Sequence, residues 1–469
     1  MILLIQNIED YNNDFRVSLQ AFYGGERIIV PEIFDKKPEL KNEVDKIFVA
    51  DIDTRDADST KDIDPGNDAD SVNNADAGKD TDSRKDANSG KYTGSDTSIE
   101  IRMYVADLEE AAGSNFIDII DGVVNGASVS AMPVCSTRVD VGGDGRDKSV
   151  VRNPLKLAIY EMLSRYTGRV LPWGSLTGIR PTKIAVAQIE DGADRQAVVE
   201  NYIKVYGTSR AKAELAFDVA GREKKIIDSV AEEDEYCLYI GIPFCPTRCL
   251  YCSFTSYPIA AYKDRVEDYL DALEKEMTYV AKTYRGKRLI SIYVGGGTPS
   301  SISAENMERL CSMVESMFDM SHVREFTIEA GRPDSTTYDK LLVMKKHGVT
   351  RISINPQTMN EQTLRTIGRA HTPEQTRQAM VMARKAGFDN INMDLIVGLP
   401  GEDTDAVENT LRQIKELSPE SLTVHTLAVK RAAKLNIEMD RYKDQLKNDI
   451  ESQLDAVTRA AGEMGLEPY

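Results

Sequence analysis

Three thiols fall within eight positions of this chain, in the stretch CPTRCLYC that holds Cys245, Cys249 and Cys252. Thiolates are soft ligands suited to zinc, copper(I) or iron–sulfur clusters, and a structural zinc site takes four protein ligands. A fourth ligand is missing from the neighbourhood: position 254 is Phe254, and the first histidine in the chain is His322. A four-iron cubane held by three thiolates leaves one iron open, an arrangement that matters when a substrate or cofactor is to occupy it. For that chemistry three cysteines are the correct number.

Other residues with chemical potential recur downstream. In YVGGGTPS, residues 293–300, the glycines let backbone approach a ligand closely and Thr298 adds a hydroxyl. Glu329 in TIEAG, Gln357 in SINPQT and Asp394 in NMDLIVGLP interrupt apolar runs. A charge there is costly unless partnered, which favours a ligand-facing role for Glu329 and Asp394 over a structural salt bridge. Arg369 in TIGRAH offers a fork for a carboxylate, with a solvated arginine as the alternative.

The elements that must position these groups are visible from residue 236 onward. CLYIGIPF, RLISIYVGG, EFTIEAG, TRISINP, INMDLIVGLP and SLTVHTLA are apolar, largely β-branched runs, each followed by a helical pattern. In the first of these helices Val266, Leu270, Leu273, Met277 and Val280 recur at intervals of three and four. Parallel strands need crossovers, so strand–helix alternation predicts a parallel sheet with helices outside it. Six units predict an α/β fold built on an open, partial (β/α)6 barrel, whose strand ends carry the chemistry. The cysteines directly follow the first of these strands.

The amino-terminal half reads differently. Residues 1–50 and 99–150 are expected to form a smaller α+β domain, with DKIFVAD and SIEIRMYVAD as half-buried strands. Between them, residues 51–98 are mostly Asp, Ser, Asn, Gly, Thr, Lys and Ala and predict a disordered acidic insertion, a solvated loop with weak cation binding as the alternative. Residues 151–233 are read as a helical connector: NPLKLAIYEMLSRY places Leu155, Ala158, Ile159, Met162 and Leu163 on one face behind an Asn-Pro start. The loop LPWGSLTGIRPTK holds the only tryptophan and is read as a packed connector in preference to a substrate-contacting loop. Residues 234–469 make up the barrel, and the closing EMGLEPY reads as the start of a further strand, so the barrel is expected to be truncated at its carboxyl end.

Composition bounds the class. Formal net charge is −18, and residues 51–100, with fourteen acids and six bases, account for −8 of it. An acidic chain without a basic run argues against a nucleic-acid surface. Six cysteines in 469 residues are too few for a disulfide scaffold, which points to a reducing, cytoplasmic setting with Cys135, Cys237 and Cys311 as ordinary thiols. No stretch approaches membrane-spanning length and no signal segment is visible.

The C-x3-C-x2-C spacing after a strand resembles that of the radical S-adenosylmethionine (SAM) enzymes. Together YIGIPFC, GGGTP, TIEA, RISINPQ, IGRAH and NMDLIVGLPGE resemble the oxygen-independent coproporphyrinogen III oxidases, and INPQTMN, GRPDS and the tryptophan loop look closest to their coproporphyrinogen dehydrogenase branch. The resemblance covers residues 150–469 and implies a 4Fe-4S cluster on Cys245, Cys249 and Cys252. It further implies SAM contacts from Tyr239, Tyr251, Gly296, Gly297, Thr298, Glu329, Gln357, Arg369, Asp394 and Ala428. In that scheme Asp394 or Gln357 holds the ribose and Arg369 the methionine carboxylate. The implied reaction is oxygen-independent oxidative decarboxylation of two propionates of coproporphyrinogen III to vinyl groups in haem biosynthesis, fed by an electron donor such as flavodoxin or ferredoxin.

Two positions depart from the well-studied oxidase: Gly241 stands where it has His, and Phe254 where it has a fourth Cys. Phe254 is also a feature of the haem-chaperone branch, so a haem-binding chaperone stays open as an alternative, as does a radical SAM enzyme on another substrate. Arg180, Lys183 and Arg332 are candidates to meet substrate carboxylates, each otherwise an ordinary surface or salt-bridge residue. His425 could point into the barrel, with packing as the alternative.

Overall fold

The structure, a computed structural model, describes residues 2–6, 12–23, 26, 28–31, 44, 46–56, 97–107, 135–141, 148–177, 180–230, 234–446 and 449–469. They divide into two compact units, Met1–Lys224 and Lys225–Tyr469. Among the described residues no helix is long and apolar enough to cross a membrane.

In the first unit a five-stranded sheet has the order β2-β1-β3-β4-β5, with β1 Ile2–Gln6, β2 Ile28–Ile29, β3 Lys46–Asp56, β4 Thr97–Asp107 and β5 Cys135–Val141. Alternate residues Ile2, Leu4, Phe48, Ala50, Ile101 and Met103 are buried against the helices Asn12–Phe22 and Lys148–Thr167. β3 and β4 pair antiparallel from Lys46↔Asp107 to Asp56↔Thr97. They therefore run further into the expected acidic insertion than residues 51 and 98; the rest of that insertion, 57–96, lies outside the described residues.

The Asn-Pro start expected for the long helix is corrected, because the helix begins at Lys148 and carries Pro154 inside it. Val151, fully buried, continues the apolar face of Leu155, Ala158, Ile159, Met162 and Leu163 by one more turn, and that burial outweighs the break signal. Trp173 packs with Leu176 against a separate helical cluster of Ala185, Val198, Val199, Tyr202, Ala213, Ala216 and Ala220.

The second unit is an open, parallel six-stranded sheet in the order β13-β12-β11-β10-β9-β6. Its strands are β6 Glu235–Ile242, β9 Arg288–Gly296, β10 Glu325–Gly331, β11 Arg351–Ile354, β12 Ile391–Val397 and β13 Ser421–Thr426. A two-residue pairing of β7 Phe244–Cys245 with β8 Tyr257–Pro258 closes the cysteine loop. This is the partial (β/α)6 barrel expected, with all six strand segments where the sequence placed them. One face of every strand enters a single apolar core: Ile240, Ile242, Ile292, Val294, Phe326, Ile328, Ile352, Ile354, Met393 and Leu395 pack against the helices Val266–Thr283, Ala304–Met317, Pro373–Lys385 and Thr404–Leu417.

The last helix, Ile450–Glu463, closes the end of β12 through one polar residue. Gln453 is fully buried, accepts from the Gly398 N–H at 2.8 Å and donates to the Glu402 carbonyl at 3.0 Å. Gln453→Ala strands both groups away from water, and thermal unfolding of the full chain should show a loss of about 2 kcal/mol or more.

Candidate radical SAM site

The strand residues that do not enter the apolar core belong to the opposite face of the sheet. From β6 to β13 they are Tyr239, Tyr293, Glu329, Ser353, Asn392 with Asp394, and Thr423 with His425. A sheet face carrying two tyrosines, two carboxyls and an amide is not built for packing alone. Tyr239 and Tyr293, in register on β6 and β9, stack with ring centroids 6.0 Å apart, and Tyr239 is 62% exposed.

The Tyr293 hydroxyl donates to Glu329 Oε1 at 2.6 Å. Burial pushes the Glu329 carboxyl up to about 7, partly offset by that hydrogen bond and reinforced by the nearby Asp394 charge. Asp394, raised by burial, accepts from Asn392 Nδ2 at 2.7 Å, and His425 and Arg369 draw it back down. Asn392 Oδ1 in turn accepts from Ser421 and Thr423 at 2.9 and 3.1 Å. The hydrogen bonds of both carboxyls thus come from neutral side chains. His425 is exposed and in register with Ile396, two positions from the Asp394↔Thr423 pair, and is not packed in the core as the alternative had it.

The cysteine loop leaves β6 and is irregular, so its polar groups must find partners elsewhere. Leu250 is buried among Leu364, Ile367, Ile396, Leu399, Leu435 and Tyr442. Its N–H donates to the Ile367 carbonyl at 2.9 Å, and its carbonyl accepts from the Leu435 N–H at 2.8 Å. Cys245 and Cys249 are each 8% exposed, and Cys252 is half-buried. Burial pushes the Cys245 and Cys252 thiols up, while the Thr298 hydroxyl, 3.4 Å from Cys245 Sγ, and the Phe254 backbone N–H pull them back.

Gly296 and Gly297 pass directly beneath this loop. Gly296 has φ +110°, and a Cβ on Gly297 would lie 2.7 Å from the Phe244 carbonyl and 3.0 Å from Cys245 Sγ. The close approach that the glycines allow is therefore, in this structure, to the cysteine loop. Arg369 is buried beside Tyr251 and the Cys249 thiol; its guanidinium donates to the Asn355 carbonyl at 2.5 Å and to Tyr251 Oη at 3.2 Å. Burial works against its charge, but Tyr251 and Cys249 more than restore it.

Gln357 sits at the end of β11 with φ +69°, a backbone rarely adopted by a non-glycine residue. The Asp394 carbonyl accepts its N–H at 2.9 Å and its own carbonyl accepts from Ile396 at 3.0 Å, which pins the distortion to β12. Ala428 follows β13 and is exposed. Of the expected cations, Arg180 and Lys183 belong to the first unit and are exposed. Arg332 is 2% exposed and paired with Asp334. That pairing removes it as a substrate contact. Tyr293, Asn392 and Thr423 were missed as site residues, although each lies two positions from a predicted one or on a neighbouring strand, and the period of two would have found them. Cys135, Cys237 and Cys311 are free thiols, as expected.

Residues 239–414 match the sequence profile of the radical SAM superfamily. The oxygen-independent coproporphyrinogen-III oxidase-like protein HemZ of Bacillus subtilis is 39% identical over 68% of this chain and 64% of its own length. The heme chaperone HemW of the same organism is 38% identical over 41% of this chain and half of its own length. The solved structure of coproporphyrinogen III oxidase (HemN) from Escherichia coli covers 52% of this chain and 55% of its own, at 27% identity and a TM-score of 0.44. The chain thus spans less than two thirds of the length of these relatives.

Radical SAM proteins use a 4Fe-4S cluster and SAM, and the residues here fit both. Three thiols lie in one loop, the number that a cubane needs when one of its irons is left for a further ligand. Arg369 Nε is buried without a hydrogen-bond partner beside Cys249, an unmet donor next to the thiols.

Glu329 also gives a pH prediction. Its pKa rises from an ordinary 4.5 in the unfolded chain to about 7 in the fold. Stability linked to this group is therefore full below about pH 4.5 and is lost as pH rises through 7. Glu329→Gln should melt higher than wild type at pH 8, with the gap closing by pH 5. Tyr293→Phe, which removes the bond favouring the ionised form, should instead cost more at pH 8 than at pH 5. With its cysteine loop, glycine turn and polar inner face on one parallel half-barrel, and with its match over residues 239–414, the chain carries a radical SAM domain.

Proposed function

We propose that this protein is a radical SAM oxidoreductase that carries out the oxygen-independent oxidative decarboxylation of coproporphyrinogen III propionates to vinyl groups. The observation that carries the reading is the placement, at one end of a half-barrel, of three loop cysteines beside an inner face bearing Tyr239, Tyr293, Glu329 and Asp394. The similarity to an oxidase-like relative over 68% of the chain supports the substrate class.

When bound, the cluster and SAM supply a 5′-deoxyadenosyl radical able to take a hydrogen atom from an unactivated carbon. The chain's own part is to bind and orient. Cys245, Cys249 and Cys252 would ligate three irons, and the buried Arg369 fork suits the methionine carboxylate. Glu329, Gly296, Gly297 and Thr298 would hold the amino end, and Gln357 or Asp394 the ribose. Tyr239, Tyr251 and Ala428 complete the contacts. The apolar cluster around Leu250, Ile396, Leu399 and Leu435 keeps water from the loop. Each decarboxylation releases carbon dioxide and leaves one electron for an external acceptor. A small reductant protein such as flavodoxin or ferredoxin supplies the electron that starts each turnover, and a reducing cytoplasm suits six free thiols.

A second reading is a heme chaperone on the same scaffold. Phe254, two residues after Cys252, is 65% exposed where the oxidase pattern has a cysteine, and HemW is a relative at 38% identity. One anaerobic assay separates the two: reconstituted protein is given reductant, SAM and coproporphyrinogen III. Formation of 5′-deoxyadenosine together with the divinyl product is expected, and Cys249→Ala should abolish both. Deoxyadenosine without divinyl product would overturn the substrate assignment. Haem binding without SAM cleavage would favour the chaperone.

A further inference from the structure

Arg332 is one of the most deeply buried charges in the barrel unit, and it is not placed to meet a substrate. Its Nε and one terminal nitrogen grip both oxygens of Asp334, at 2.9 and 2.6 Å. The remaining nitrogen donates to Thr247 twice, to Oγ1 at 2.7 Å and to the carbonyl at 3.2 Å. Thr247 lies between Cys245 and Cys249, and its hydroxyl donates onward to the Gly368 carbonyl at 2.9 Å, next to Arg369. A planar fork fixed on one side by a carboxylate thus bears on the cysteine loop with its other side.

We infer that Arg332 is a positioning residue: with Asp334 behind it and Thr247 in front, it holds the cysteine loop in its ligating conformation before any cluster is bound. The role depends on shape as well as charge. A lysine would keep the positive charge but could not span Asp334 and Thr247 together. The ends of β10 and of the segment 366–369 are joined through this one side chain and one hydroxyl, so the loop's position is tied to two neighbouring strand–helix units at once. The inference rests on reading Cys245, Cys249 and Cys252 as cluster ligands, but its first consequence is visible in their absence of iron.

The test is anaerobic alkylation of the full-length, iron-free protein with N-ethylmaleimide, each cysteine followed by peptide mass spectrometry. Cys311, fully buried in the helix Ala304–Met317, reports global loosening, and the exposed Cys237 reports reagent access. Arg332→Lys should speed alkylation of Cys245 and Cys249 roughly tenfold while Cys311 stays protected, and Thr247→Val, which keeps the Arg332–Asp334 pair, should give a smaller rise. After reconstitution, iron loss to a chelator should be faster in both variants in the same order. Wild-type rates at Cys245 and Cys249 in both variants would overturn the inference. So would a rise in Thr247→Val that Cys311 shares, since that describes a looser fold and not a displaced loop; if Arg332→Lys exposes Cys311, Thr247→Val decides. A wild-type protein that takes up no cluster would sink the ligand reading while leaving the alkylation result to stand or fall alone.

Discussion

The structure depends on one constraint: three thiols must be held by a loop that, beyond the two-residue pairing at Cys245, belongs to neither strand nor helix. An irregular loop has no ladder of its own, so each buried N–H and carbonyl needs an outside partner, and a missing partner costs about 1–3 kcal/mol. Here the partners come from three directions. Thr247 is held by Arg332 and Gly368, Leu250 by Ile367 and Leu435, and the Arg248 guanidinium by the Ala432 carbonyl. Apolar burial of Leu250 supplies the driving force and the hydrogen bonds supply the direction. The loop is thus over-determined, as suits a site whose own charges repel one another.

The same economy explains the sheet. A parallel sheet normally buries both faces in apolar contacts, but this open half-barrel buries one face beneath helices and leaves the other polar. Glu329 and Asp394 sit on that second face, each raised by burial and each given a neutral hydrogen-bond donor instead of an ion pair. A cation hydrogen-bonded to either would hold it ionised and satisfied. Neutral donors leave both carboxyls poised to take a proton or to accept a hydrogen bond from a polar ligand. Gln357 reinforces the point, because its left-handed backbone is a local cost that the β12 ladder sustains at the strand end nearest Asp394.

Much of this was legible in the sequence because it rests on short-range patterns. The six strands follow from β-branched runs, and the cysteine loop follows from its spacing and its place directly after the first strand. What was not legible depends on contacts between residues far apart in the chain. Arg332 reads as a loop cation until Thr247, 85 positions earlier, is brought against it. The glycines of residues 295–297 read as a ligand cradle, yet Gly297 is required by the cysteine loop crossing over it, a crossing set by β6–β9 register. Val151 extends a helix past an Asn-Pro signal because a core elsewhere has room for it. Tyr293 was passed over since a tyrosine in a strand is ordinary; only its position between Tyr239 and Glu329 gives it a role.

The arginines show where cofactor chemistry ends and substrate choice begins. Arg332 and Arg369 are both buried, and both direct their guanidinium nitrogens at the cysteine loop or its support. Neither can leave to meet a carboxylate of a large substrate without exposing an unpaired partner, Asp334 in one case and the Asn355 carbonyl in the other. The two cations that sequence motifs single out within the barrel therefore bear on the cysteine loop. Contacts to any larger ligand are left to more exposed side chains of the polar face, such as Tyr239 and His425. A scaffold divided in this way can keep the support of its cysteine loop and alter what its open face meets.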